Sequence, residues 1–143
     1  MFIGTHLPRL DEKSRLIFPA KFRDQIAENV VLTRGHEHCI AVYRESDFLK
    51  QAERLTQGSA TNAAVREYSR SFLANSDLQT FDGQGRISVG AKLREWAGIG
   101  RDLAVVGLGD RIEIWDLARW DEYDRKTAEA FSSKSEEVIP GIF

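Results

Sequence analysis

Leu10-Asp11-Glu12-Lys13-Ser14-Arg15-Leu16-Ile17-Phe18-Pro19-Ala20-Lys21-Phe22-Arg23 returns as Phe81-Asp82-Gly83-Gln84-Gly85-Arg86-Ile87-Ser88-Val89-Gly90-Ala91-Lys92-Leu93-Arg94. At an offset of 71 residues without gaps, Asp11, Arg15, Ala20, Lys21 and Arg23 meet Asp82, Arg86, Ala91, Lys92 and Arg94, while Leu16, Phe18 and Phe22 meet Ile87, Val89 and Leu93. Charged and apolar positions repeat together. A looser match follows one residue out of phase, where Ile40, Val42, Tyr43 and Phe48 meet Ile112, Ile114, Trp115 and Trp120. Two half-chains of one plan therefore stand in tandem.

Working outward from the first copy, residues 1–8 are partly apolar and interrupted by Gly4 and Pro8, which suits an edge strand. Asp11 to Ser14 is a polar turn, and a strand follows through Leu16-Ile17-Phe18. Pro19 stands at a helix start, where its fixed φ fits and its missing N–H costs nothing. Phe22 and Ile26 share one face of that helix, leaving Lys21 and Asp24 exposed. Val30–Thr33 and Cys39–Tyr43 read as a hairpin around residues 34–38. Ser46 is expected to cap a helix carrying Phe48, Leu49, Ala52 and Leu55 inward, ended by Gly58-Ser59. A second helix with Val65, Tyr68, Phe72 and Leu73 inward leads to the other half.

That half restarts at Asp77 to Phe81, turns through Asp82 to Gly85 and enters a strand at Arg86. A short helix from Ala91 stops at Gly98, a C′ glycine. Leu103–Val106 and Arg111–Trp115 form a hairpin around residues 107–110, and Asp116 caps a last helix with Trp120, Tyr123, Thr127 and Phe131 along one side. The resulting division is 1–57, a connecting helical piece 58–75, 76–131, and a serine-rich acidic tail at 132–143 expected to be mobile.

With 143 residues, 42% hydrophobic and 29% charged, the chain is long enough and apolar enough for one globular core. It holds no apolar run near the ~18 residues of a membrane span and no basic-then-apolar leader, so a cytoplasmic location is expected. Its single cysteine, Cys39, lies in an apolar run and reads as a small core residue. The net charge of −2 argues against coating nucleic acid by bulk attraction. Local charge differs: Arg9 to Arg23 holds five basic residues against two acids, and Asp82 to Arg94 three against one. Acids instead gather between Asp116 and Glu137, seven against four basics.

Val105-Val106-Gly107-Leu108-Gly109-Asp110 begins like a nucleotide or S-adenosylmethionine site, but a strand follows where phosphate binding needs a helix N-terminus. His36-Glu37-His38-Cys39 packs four ligand types together, yet strand alternation divides them and no distant second cluster completes a zinc site. No nucleophile stands in an activating context. No catalysis, metal or cofactor is expected.

The Asp-x-x-x-Arg turns support two readings. An arginine leaving a tight turn can bond O6 and N7 of a guanine in the major groove, with the aspartate fixing its fork, a contact worth about 1–3 kcal/mol of discrimination. Alternatively Asp11–Arg15 and Asp82–Arg86 only order their turns, at about 0–1 kcal/mol when exposed.

The doubled Asp-x-x-x-Arg, apolar strand and Ala-Lys-x-Arg, with the opening Met-Phe-Ile-Gly, resembles the MraZ family of bacterial transcriptional regulators over residues 1–131. The resemblance implies an α+β fold: two swapped-hairpin halves similar to AbrB-type domains, related by a pseudo-twofold and intertwined into one small barrel with linking and flanking helices. It implies DNA contact by Arg15 and Arg86 ordered by Asp11 and Asp82, with Lys13, Lys21, Arg23, Lys92 and Arg94 as candidates for phosphate contact. It further implies a nucleoid-associated homo-oligomer, a ring of several subunits on short promoter repeats, regulating and usually repressing its own cell-division and cell-wall gene cluster. The competing reading is a protein-interaction scaffold, or an antitoxin-like AbrB relative, using the acidic C-terminal helix. Both copies depart from the pattern: in the first, Ser14 stands where Gly85 stands in the second, and in the second, Gly90 replaces Pro19 and Ser88 interrupts the apolar strand. Strain or a reshaped loop is expected at the first, a less rigid second unit from the other.

Overall fold

The computed structural model describes residues 1–131 and Ser133. Eight strands and five α-helices follow in the order β1 (Phe2–His6), β2 (Arg15–Ile17), α1 (Ala20–Arg23), β3 (Val30–Arg34), β4 (Ile40–Arg44), α2 (Glu45–Ser59), α3 (Ala63–Leu73), β5 (Asp77–Gln79), β6 (Arg86–Ser88), α4 (Ala91–Ala97), β7 (Leu103–Gly109), β8 (Ile112–Asp116) and α5 (Leu117–Ala128). The fold is α+β, and every strand pairing is antiparallel. The tail at 132–143 lies, Ser133 apart, outside the described residues.

Six strands form one sheet in the order β1-β7-β8-β4-β3-β5, and β2 and β6 form a separate two-stranded ribbon. The order reads the same when the halves are exchanged. β1 leaves its own half to pair with β7, from Phe2↔Gly109 to His6↔Val105, and β5 crosses to β3 through Val30↔Gln79 and Leu32↔Asp77. At the centre β4 meets β8 with Ala41 opposite Glu113. The ladder is open, with β1 and β5 as its edges.

One core serves both halves. Leu16, Phe18, Phe22, Leu32 and Ile40 from the first and Ile87, Leu103, Ile112 and Ile114 from the second lie in a single buried cluster. Each such side chain stabilises the fold by roughly 1.5–3 kcal/mol through transfer from water, so neither half keeps its stability without the other. Glycine secures one of the crossings: a Cβ on Gly107 would lie 2.5 Å from the Phe2 carbonyl carbon, so only hydrogen lets β1 approach β7. The Gly107-Leu108-Gly109 sequence thus belongs to a strand, and only Asp110 and Arg111 separate β7 from β8.

Most local expectations match the elements. Pro19 precedes α1 at φ −52° and ψ 127°, and Gly90 holds nearly the same conformation before α4, at φ −64° and ψ 153°. Gly98 ends α4 in the left-handed region, and Asp116 accepts the Arg119 N–H at the start of α5. Three expectations fail, one of them Tyr68, which is 45% exposed on α3 rather than turned inward. Ser46 does not cap α2, which begins at Glu45 with Arg44 in the cap position, two residues earlier than expected; the Ser46 N–H donates to Glu28 Oε1 at 3.0 Å instead. Leu49 is 59% exposed, because α2 is covered on its other side by α3 and β4, where Phe48 stacks on Phe72 at 5.6 Å.

Candidate nucleic-acid interface

The two repeated turns fold identically because one carboxylate satisfies the whole loop. Asp11 Oδ1 accepts the N–H groups of Lys13 and Arg15 at 2.9 Å each, and its Oδ2 accepts Arg15 Nε at 2.9 Å. Asp82 does the same for Gln84 and Arg86, with Nε at 2.7 Å. The backbone closes both turns, Ser14 N–H to Asp11 O at 3.0 Å and Gly85 N–H to Asp82 O at 2.9 Å. These donors hold both carboxyls below the usual range, the Arg86 N–H acting most on Asp82, which is lowered to about 2.

The turn requires a left-handed residue in its fourth position. Gly85 supplies φ 72°, and Ser14 adopts φ 57°. The first loop is therefore not reshaped; its serine carries the strain of about 1–2 kcal/mol that a Cβ brings to this region.

Each loop is then hung on the other half. Phe18 N–H donates to Gly85 O at 3.0 Å and Val89 N–H to Ser14 O at 2.9 Å, on either side of the ladder Arg15↔Ser88, Leu16↔Ile87, Ile17↔Arg86. Leu16 and Ile87 turn into the core, so the alternation of strand side chains sends Arg15, Ile17, Arg86 and Ser88 to the outer face. Arg15 and Arg86 are diagonal neighbours on that face, a relation that spans about 7–8 Å. Each spends Nε on its aspartate, and among the described residues no group bonds to either one's terminal nitrogens. Two arginine forks are thus preset on one exposed ribbon.

The other predicted residues divide. Lys13, Lys21 and Lys92 are exposed, the last two in the first turns of α1 and α4. Arg23 and Arg94 are half-buried braces at the ribbon ends, their Nη1 donating to Phe18 O at 3.2 Å and to Val89 O. Arg23 also lies against the second loop, where a Cβ on Gly85 would collide with its Nη1. Ile17, 61% exposed across from Arg86, was not singled out from sequence. The signal was present, since its repeat partner is the polar Ser88. Among the described residues no three metal-ligating side chains converge.

The architecture defines a tandem-repeat α+β protein whose halves exchange strands and together present an arginine-bearing ribbon. Comparison with known proteins matches the model of the MraZ protein family, described as antitoxin-like, twice along the chain, at residues 1–71 and 72–140. The chain belongs to the MraZ family. It is similar to proteins named transcriptional regulator MraZ from Clavibacter michiganensis subsp. michiganensis (48% identity), Micrococcus luteus (47%) and Leifsonia xyli subsp. xyli (46%), each over 143 residues covering all of both chains. None of the described helices is long and apolar enough to cross a membrane.

Proposed function

We propose that this chain is a sequence-specific DNA-binding transcriptional regulator that lays the β2–β6 ribbon in the major groove. The observation that carries the reading is the placement of Arg15 and Arg86 on one exposed face with both forks fixed by aspartate. A two-stranded ribbon fits the major groove, and a bidentate arginine selects guanine at about 1–3 kcal/mol per contact. The diagonal separation corresponds to about two base-pair steps of 3.4 Å, and the methyl groups of Ile17, directly across from Arg86, suit a thymine methyl. Lys13, Lys21 and Lys92 supply phosphate contacts, and Arg23 and Arg94, while bracing the ribbon, keep further N–H groups for the same backbone.

So small a reading head binds weakly alone. The reading therefore includes a homo-oligomer, a ring carrying several ribbons, on short promoter boxes at helical spacing, where effective concentration raises affinity without new contacts. The target is the promoter of the protein's own cell-division and cell-wall gene cluster, with repression as the outcome and the nucleoid as the place of action. The names of the relatives support regulation of transcription, and the exchange of β1 and β5 supports two swapped-hairpin halves, divided as 1–57 and 76–131 around 58–75.

The test is fluorescence anisotropy on the DNA upstream of the protein's own gene and on a shuffled control, across salt, for wild type and Arg15→Ala/Arg86→Ala. Preference for the upstream DNA, lost in a variant that remains folded by circular dichroism, is expected. A variant that discriminates equally well makes the turns structural and moves the reading to a protein partner.

A further inference from the structure

A cavity of about 220 Å³ opens at the tip of the β3–β4 hairpin, between that hairpin, α3 and α4. None of its lining residues belongs to the ribbon. The pseudo-twofold does not require it, because β7 and β8 are joined by Asp110 and Arg111 alone where β3 and β4 are joined by the five residues from Gly35 to Cys39.

The longer loop is held in a costly shape. Glu37 and His38, both with a Cβ, adopt φ 57° and 60° in succession. The conformation is pinned from outside, by Trp96 Nε1 donating to Cys39 O at 2.9 Å and by Arg119 donating to the carbonyls of His38 and Glu37 at 3.3 and 3.4 Å. Its effect is to hold the His36 and His38 rings at the opening, with Glu37 between them also in the lining. The His38 ring stacks on Trp96 at 3.9 Å, and the His36 ring faces Tyr68 at 5.9 Å with its Nε2 3.0 Å from the Tyr68 hydroxyl. His38 Nδ1 lies 3.1 Å from Trp96 O; a carbonyl only accepts, so Nδ1 carries the proton and Nε2 is left over.

Arg34 gives the cavity its charge. Its guanidinium sits 4.7 Å from the Trp96 ring centre and donates to Ser71 Oγ at 2.9 Å, both neutral partners. Among the described residues no carboxylate pairs with it. A half-buried guanidinium whose contacts are a ring and a hydroxyl is a preset anion receptor, and the rings beside it, stacked on one another and under Arg34, receive a flat molecule against their edges. The volume falls below the about 300–1,000 Å³ of ordinary ligand sites, which limits the occupant to one ring.

We propose that this cavity binds a small aromatic monoanion of the monocyclic carboxylate class, its ring among Trp96, Tyr68 and Phe72 and its carboxylate on Arg34. The proposal is independent of DNA recognition, since it shares no residue with the ribbon.

The experiment is an NMR titration of the intact chain with benzoate, followed at the three tryptophan indole N–H signals. Cyclohexanecarboxylate keeps the charge without the flat ring, and benzamide keeps the ring without the charge. Saturable movement of the Trp96 signal, with Trp115 and Trp120 unmoved, is expected for benzoate. Each control and Arg34→Gln should bind about tenfold more weakly. No saturable change at Trp96, movement of all three signals alike, or equal binding of benzoate and benzamide would overturn the proposal. The ligand comparison uses wild type alone, so it decides the matter even where Arg34→Gln does not fold.

Discussion

Asp82 Oδ2 stands 2.7 Å from Arg86 Nε while Oδ1 of the same carboxylate takes the N–H groups of Gln84 and Arg86, so one side chain both builds the loop and aims the arginine that leaves it. Asp82→Asn separates these tasks. The amide oxygen still accepts from the loop, but the amide nitrogen cannot accept from Nε. A lowered melting temperature at neutral pH is expected, since the charged carboxylate is lost, and under the proposed function the affinity for the upstream DNA falls about tenfold. A melting scan beside an anisotropy titration checks it; unchanged DNA affinity would mean that the fork needs no holder.

The same carboxylates set an acid dependence. Both are lowered in the folded chain, Asp82 to about 2, against a value of 3.8 without these contacts. A depressed carboxylate contributes stability above its unfolded pKa and loses it as pH falls through the folded one. The contribution is thus complete near neutrality and drains away from about pH 4 down toward 2. Urea unfolding across that window should show a steeper acid loss for wild type than for Asp11→Asn/Asp82→Asn.

The two loops should respond oppositely to exchange of their fourth residue. Ser14→Gly removes left-handed strain of about 1–2 kcal/mol and adds chain entropy of about 0.5–1, for a net gain of about 0.5–1 kcal/mol. Gly85→Ser introduces that strain and drives Arg23 from the loop, because its Cβ would collide with Arg23 Nη1. A loss of about 1–3 kcal/mol is expected. Chemical denaturation of the two variants gives both signs in one experiment.

Gly107→Ala tests the strand exchange. The added methyl meets the backbone of Phe2 and Ile3, at 2.5 and 2.6 Å, rather than a side chain that could rotate away. The cost should reach about 3 kcal/mol, and hydrogen exchange should quicken first along Phe2–His6. Gly109→Ala, with no atom within 4 Å but a φ of 82°, should cost only the backbone strain of about 1–2 kcal/mol.

Strong local codes were legible. The 71-residue offset, the Asp-x-x-x-Arg turns, Pro19 and Gly98 at helix boundaries and the Asp116 cap each act within a few residues, and each appears in place. Ser46 failed because a cap is a competition: Glu28, eighteen residues away, takes its N–H, and no spacing rule contains that partner. Arg23 and Arg94 look like Lys21 and Lys92 in the sequence, yet their guanidiniums fold back onto Phe18 O and Val89 O, since only in three dimensions do those carbonyls lie uncovered at the ribbon ends.

By itself, the sequence determined that the chain is built twice from one unit, each with an arginine preset at a turn, because repetition and hydrogen bonds across four residues are written locally. The tertiary structure alone decided that β1 and β5 change halves, that Arg15 and Arg86 share one face, and that Trp96 closes a cavity over the β3–β4 loop. The reason is that strand pairing is a choice among distant partners. Three-residue strands such as β2 and β6 carry too little pattern to name theirs, and the choice is made when Leu16 and Ile87 enter one shared core.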